Sequence, residues 1–151
     1  MKICFVASSG GHWDELMTLE PFIKRENCIY ATEDGGQARN SKLRPVYTFK
    51  QINRKEKAFI LHFFAVLYKT IRILKKEKPD VIITTGALIA FPFCLFQRLR
   101  KGRVIYIESF ARVSSLSLTG KLCYPLSDLF LVQWKELKKK YPRAIYTGGV
   151  F

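Results

Sequence analysis

No stretch of this sequence reaches the roughly 18–20 consecutive apolar residues that a membrane-spanning helix requires, so a bilayer-spanning fold is not expected. Met1 to Ser8 show neither a positive n-region nor a small-residue cleavage site, which argues against a secretory leader and for a chain that stays in the cytoplasm. Histidine is scarce, with only His12 and His62. The four cysteines, Cys4, Cys28, Cys94 and Cys123, sit far apart inside apolar runs, and no pair has metal-ligand spacing. A zinc module is excluded on that ground, no metal site is expected, and the thiols are expected to be buried and reduced. Carboxylates are outnumbered, 12 Asp and Glu against 26 Lys and Arg, for a net charge of +14. Such an excess calls for a polyanionic partner: nucleic acid, anionic lipid or a phosphorylated substrate. Nucleic acid is set aside, because no recognition motif or surface aromatic platform is found.

What is present suffices for one domain. With 151 residues, 48% of them hydrophobic, the chain can bury a single core, and residues 1–151 contain no linker, repeat or low-complexity stretch. Apolar, β-branched runs predict strands at Lys2–Ser8, Cys28–Thr32, Val46–Phe49, Val81–Thr85, Val104–Glu108, Leu129–Gln133 and Ile145–Thr147. Helices are predicted at His12–Lys24, Asn53–Lys76, Leu88–Leu99, Leu116–Leu126 and Lys135–Lys140. Their alternation, with several strands apolar throughout, predicts an α/β fold: a single Rossmann-like, doubly wound parallel sheet. Ligands of such sheets bind beyond the carboxyl ends of the strands, where strand order reverses. That rule selects the loops Ser8-Ser9-Gly10-Gly11-His12, Thr85-Gly86-Ala87, Glu108 to Arg112, and Gln133-Trp134.

Two glycines after the first strand let backbone N–H groups approach an anion, and the following helix adds a favourable field. The loop is not G-x-G-x-x-G, and no acidic residue is expected at the end of the second strand to hold a ribose. A dinucleotide is therefore disfavoured, and no cofactor is expected.

Ser9-Gly10-Gly11-His12 resembles the glycine-rich loop of the lipid-II-forming GlcNAc transferase of peptidoglycan synthesis. A longer run, Ile107-Glu108-Ser109-Phe110-Ala111-Arg112-Val113, then Ser117 to Lys121, Asp128-Leu129-Phe130 and Val132-Gln133-Trp134, carries a more specific likeness. It resembles the bacterial capsule and exopolysaccharide relatives of the anchor subunit in the eukaryotic two-subunit enzyme that adds the second GlcNAc to dolichol-linked sugar. Tyr141-Pro142 and Tyr146-Thr147-Gly148-Gly149 fit the same pattern. The resemblance implies the N-terminal half of a GT-B glycosyltransferase, with a separate small subunit binding the UDP-sugar. It further implies transfer of a sugar, often galactose, to a lipid-diphosphate-linked sugar at the inner face of the cell membrane. Eukaryotic relatives begin with a transmembrane helix; here the attachment is expected to be peripheral. The alternative is a non-catalytic anchor that recruits and enhances the partner.

If the transfer inverts, it needs a base for the acceptor hydroxyl and groups that neutralise diphosphate charge. Glu108 and His12 are the candidate bases; their structural alternatives are an ion pair with Arg112 and a helix cap. Ser9, Gly10, Gly11, Gly86, Ser109 and Arg112 are expected at the acceptor diphosphate. Gln133, Trp134, Tyr146, Gly148, Gly149 and Phe151 are expected at the partner interface. From Ala58 to Tyr68 every residue but His62 is apolar. Phe59, Ile60, Phe63, Phe64, Leu67, Ile71 and Leu74 are expected on the broad core side, with Leu61, Ala65, Val66 and Ile73 beyond it. With Lys55, Lys69, Arg72 and Lys76 alongside, the helix is expected to lie on anionic lipid through these cations and Phe59 and Phe63.

Overall fold

A computed structural model of the chain describes residues 1–19, 21, 27–40, 42–43, 45–51 and 58–149. The described strands are β1 (Ile3–Ala7), β2 (Cys28–Glu33), β3 (Val46–Phe49), β4 (Val81–Gly86), β5 (Arg103–Ile107), β6 (Leu129–Val132) and β7 (Ile145–Tyr146). They form one sheet in the order β3-β2-β1-β4-β5-β6-β7, with every pair parallel. The helices are α1 (Gly11–Met17), α2 (Gly36–Asn40), α3 (Phe59–Glu77), α4 (Ala90–Leu99), α5 (Leu118–Cys123) and α6 (Lys135–Lys140). This is the doubly wound sheet that the strand pattern predicts, and its order reverses between β1 and β4.

Continuous apolarity explains the central strands: β1 and β4 are buried along their whole length, as a sheet covered on both faces demands. On one face Cys4, Val6, Ile29 and Ile82 pack with Val66, Ile73 and Leu74 of α3 and Phe93 of α4. On the other, Phe5, Tyr30 and Ile83 meet Trp13 and Leu16 of α1. Phe5 and Tyr30 are register partners, and their rings stack 5.5 Å apart. A third cluster joins Val104, Tyr106, Phe130 and Val132 to Cys94, Cys123 and Leu137. Burying each large apolar side chain contributes about 1.5–3 kcal/mol. All four cysteines are free and buried.

Element ends differ from the sequence pattern in instructive ways. β2 runs one residue further, to Glu33. α1 stops at Met17, short of the expected Lys24. The start predicted for the long helix, Asn53 to Lys57, lies outside the described residues. α5 begins at Leu118 because Ser117 caps it, its hydroxyl accepting the Gly120 N–H. In α3 the core stripe is Val66, Thr70, Ile73 and Leu74, so Val66 and Ile73 face inward and not outward as expected. Ile60 and Phe64 face out instead.

At the amino ends of the strands a buried glutamine ties α4 to the turn before β4. Gln97 Nε2 donates to the carbonyls of Pro79 (2.9 Å) and Asp80 (3.1 Å). Gly102 makes room for it: a Cβ there would stand 2.0 Å from Gln97 Nε2. Gly102→Ala should therefore displace the amide and destabilise the fold by about 1–3 kcal/mol. Denaturant unfolding measures this; a loss below about 0.5 kcal/mol, the ordinary surface-substitution range, would show that Gln97 moves aside freely.

Candidate functional site

At the carboxyl edge of the sheet, where strand order reverses, a cleft of about 570 Å³ opens between the loops. Ser9 and His12 border it after β1, Glu33 and Gln51 after β2 and β3, and Ala87 and Leu88 after β4. Ser109 and Arg112 come from the β5–α5 loop, Ser117 to Thr119 from the start of α5. Three of the four loops selected from the sequence thus meet in one place.

The β1–α1 turn depends on Gly10, whose φ of +86° and ψ of −149° only glycine adopts readily. Nothing lies within 4 Å of a Cβ built at Gly10 or Gly11, and neither glycine is among the residues lining the cleft. His12 is held from behind, its carbonyl accepting from Thr85 Oγ1 at 2.5 Å. It borders the cleft, while its Nδ1 is buried without a hydrogen-bond partner among the described residues.

Gly86 does a different job from the anion contact expected of it. It is buried, with φ +109°, and a Cβ there would stand 2.6 Å from the Tyr106 hydroxyl. The glycine lets that aromatic pack under the turn, and the cleft wall is formed by its neighbours Ala87 and Leu88.

Glu108 also differs from its expected surroundings. Its side chain is 0% exposed and does not border the cleft. Oε1 accepts the Ser109 N–H at 3.1 Å; Oε2 accepts the Ser117 N–H at 3.0 Å and the Ser117 hydroxyl at 3.2 Å. Burial pushes the carboxyl above its ordinary value, opposed by the Ser109 and Ser117 donors and more distantly by Arg112. No ion pair joins Glu108 to Arg112 among the described residues, so the alternative role expected for Glu108 is not seen either. Arg112 is exposed at the cleft.

A second buried carboxylate, Glu15 of α1, braces the same loop: its Oε1 accepts from Ser109 Oγ at 3.2 Å and Phe110 N–H at 3.0 Å. Sequence patterning missed Glu15 because a carboxylate on a short amphipathic helix reads as solvent-facing. Beyond it, Trp134 Nε1 donates to the Phe110 carbonyl at 2.7 Å, and the two rings lie 4.9 Å apart. Gln133 is buried and donates to the Glu108 carbonyl at 3.0 Å, so its amide serves this chain and is not presented to a partner.

Glu33 was also missed, because the second strand was expected to end at Thr32. An acidic residue does stand at the end of β2, correcting the expectation that none would. Glu33 is half-buried, receives the Ser9 hydroxyl on Oε2 at 3.4 Å, and has no cation paired with it among the described residues. Burial holds its carboxyl above the ordinary range, opposed by Ser9.

The remaining expected residues lie away from the cleft. Tyr146 and Gly149 are exposed near β7, Gly148 is half-buried, and Phe151 is outside the described residues. Lys69 and Arg72 are exposed on α3, as is Lys76, while Phe59 and Phe63 are half-buried and stacked at 6.0 Å. Lys55 lies outside the described residues. The strongly exposed apolar side chains of α3 are Ile60 (65%), Leu61 (73%), Phe64 (61%) and Tyr68 (64%).

Residues 3–150 match the family model described as "Oligosaccharide biosynthesis protein Alg14 like". The UDP-N-acetylglucosamine transferase subunit ALG14 of Mus musculus is 28% identical over 180 residues, covering 99% of this chain and 83% of the mouse protein. The Schizosaccharomyces pombe subunit of the same name is 48% identical over 77 residues, 48% of this chain and 37% of that protein. Among solved structures, Acinetobacter baumannii MurG superposes with a TM-score of 0.72 at 16% identity, over 90% of this chain and 43% of that one. Methanocaldococcus jannaschii UDP-GlcNAc 2-epimerase, in complex with UDP-GlcNAc and UDP, gives 0.73 at 13% identity, over 99% and 47%. This chain spans less than half of either solved chain. The fold is that of the N-terminal half of a GT-B glycosyltransferase.

The bracing of the β5–α5 loop gives a direct test. Glu108→Gln replaces one of the two accepting oxygens with NH₂, leaving at least one of the three donors facing another donor, and should lower stability by about 1–3 kcal/mol. Gly120→Ala should act on the same contact, since its Cβ would stand 2.0 Å from Glu108 Oε2. Thermal unfolding of both variants checks this; wild-type stability in Glu108→Gln would show that the carboxylate is not the brace.

Proposed function

The chain belongs to the Alg14-like oligosaccharide biosynthesis family, and from that premise we propose that it is the acceptor-side subunit of a two-component glycosyltransferase. Its partner is a small subunit that holds a UDP-sugar against the open cleft. The relatives are named as subunits of a UDP-N-acetylglucosamine transferase, which supports both a partner and N-acetylglucosamine as the sugar. Galactose and a capsule setting find no such support, and the proposal does not include them. The acceptor is a lipid-diphosphate-linked sugar.

The cleft at the β1/β4 switch is the observation that carries this reading. It brings one guanidinium, Arg112, to the same edge as Ser9, His12 and Ser109, with the Gly10-Gly11 turn between Ser9 and His12. A planar guanidinium matches the oxygens of a diphosphate. His12, on the same wall, is placed to meet the bridging oxygens or the sugar. Glu108 acts indirectly, by fixing the loop that presents Ser109 and Arg112.

A second reading, a non-catalytic anchor and enhancer, is favoured by one observation: Glu108, the expected base, is sealed inside the chain. His12→Ala separates the readings. In the acceptor-site reading, turnover or acceptor affinity falls by at least tenfold, about 1.4 kcal/mol; an anchor would keep both.

Membrane attachment is proposed to be peripheral, at the cytoplasmic face, through α3. Among the described residues no helix is long and apolar enough to cross a membrane. Ile60, Leu61, Phe64 and Tyr68 lie exposed in its first half, and Lys69, Arg72, Lys75 and Lys76 in its second. Apolar side chains beside clustered cations suit anionic lipid.

Two outcomes test the proposal. The purified chain should transfer no sugar from UDP-GlcNAc to a short-chain prenyl-diphosphate GlcNAc until the partner subunit is added; robust turnover by the chain alone would overturn the two-component reading. Changing Lys69, Arg72 and Lys76 together to Glu should release the chain from anionic vesicles, each cation contributing on the order of 1 kcal/mol, less at high salt. Unchanged sedimentation with vesicles, in a variant of wild-type stability, would remove α3 as the membrane face.

A further inference from the structure

We propose that Glu33 is the base that takes the proton of the acceptor sugar's attacking hydroxyl; this rests on the reading of the cleft as the acceptor site.

A base needs a lone pair open to the substrate and a scaffold that fixes it. Three groups near the cleft invite comparison. Glu108 has both oxygens occupied by Ser109 and Ser117 and no exposure. His12 borders the cleft, yet its Nδ1 is buried with no hydrogen-bond partner among the described residues. An imidazole base works when its second nitrogen is held, because that bond sets the tautomer and steadies the imidazolium that forms; His12 has no such hold. Glu33 is the carboxylate bordering the cleft. Its Oε2 accepts the Ser9 hydroxyl at 3.4 Å, and the Ser9 backbone N–H also donates to the carboxylate. Two donors on about four lone-pair sites leave acceptor capacity toward the cleft. Half-burial raises its proton affinity, opposed by the hydrogen bonds from Ser9, and no cation pairs with it among the described residues.

The layout of charge along the cleft supports the same assignment. Arg112 follows β5 and Glu33 ends β2, with β1 and β4 between them. Three strand spacings separate those ends, about 14 Å at about 4.8 Å each, which leaves room for a diphosphate and a pyranose ring once the arginine side chain reaches in. The acceptor has the same polarity: anionic phosphates at one end, hydroxyls at the other. Diphosphate is drawn to the Arg112 end and repelled from the Glu33 end, which orients the sugar toward the carboxylate.

In the reaction the hydroxyl oxygen bonds to the anomeric carbon of the UDP-sugar as the bond from that carbon to the diphosphate breaks. The electron pair of the broken bond leaves with UDP, and the hydroxyl proton passes to Glu33 Oε1. The configuration at the anomeric carbon inverts.

The test uses the complex of this chain with its donor-binding subunit, UDP-GlcNAc and a short-chain prenyl-diphosphate GlcNAc. Glu33→Gln should lower kcat by roughly 10²–10⁴-fold, the span of general base catalysis, with acceptor KM within a few-fold of wild type and an unchanged unfolding midpoint. Glu33→Asp keeps a carboxylate and should recover part of the rate. A Glu33→Gln complex whose kcat stays within a few-fold of wild type overturns the assignment while the acceptor site stands. Should that variant fail to fold, Glu33→Asp decides: lowered kcat at constant KM supports the base, raised KM at wild-type kcat overturns it. A wild-type complex that assembles but neither binds nor glycosylates the acceptor removes the acceptor-site reading, and this assignment with it.

Discussion

The cleft depends on a carboxylate that never meets solvent. Glu108 sits at the root of the β5–α5 loop and gathers the N–H groups of Ser109 and Ser117 with the Ser117 hydroxyl. Those bonds fold nine residues of loop back on themselves and fix where α5 begins. Gly120 leaves space for the carboxylate, Gln133 secures its carbonyl, and Glu15 catches the loop from the other side. A buried charge is tolerated only when its lone pairs are filled, so the loop is committed to a single shape. Ser109 and Arg112 inherit that rigidity.

The remaining wall of the cleft is built from backbone torsion. Gly10 and Gly86 hold φ values of +86° and +109°, and Ala87 follows at +64°. The first opens the turn toward ligand, while the second closes the space beneath it around Tyr106. Carboxylate bracing on one side and glycine torsion on the other frame the cleft.

Much of this was legible in the sequence, and the misses have physical causes. Continuous apolar runs such as Ile3 to Ala7 and Val81 to Ile83 announce buried parallel strands, and the order of elements followed. Ser9, His12 and Arg112 were legible as cleft residues because they follow strand ends. Glu33 was not, since Thr32 looks like a natural strand terminus and one residue of added pairing, to Phe49, decides the matter. Glu108 was assigned to chemistry from its place at a strand end; what sequence cannot give is the direction of the side chain, and here it turns inward. Gln133 misled for the same reason. In α3, the apolar excess was legible but its azimuth was not. Val66 and Ile73 face the sheet, whereas Ile60 and Phe64 do not, because α4 and the sheet cover the helix unevenly.

One last consequence concerns handedness. Gly10 holds φ +86° and ψ −149°, the mirror image of an extended conformation that L-residues adopt without strain. The space in front of it is empty to 4 Å. What excludes other residues there is chirality alone, and not room. A D-alanine introduced at this position by chemical ligation would meet no torsional resistance, and the native backbone path would be preserved.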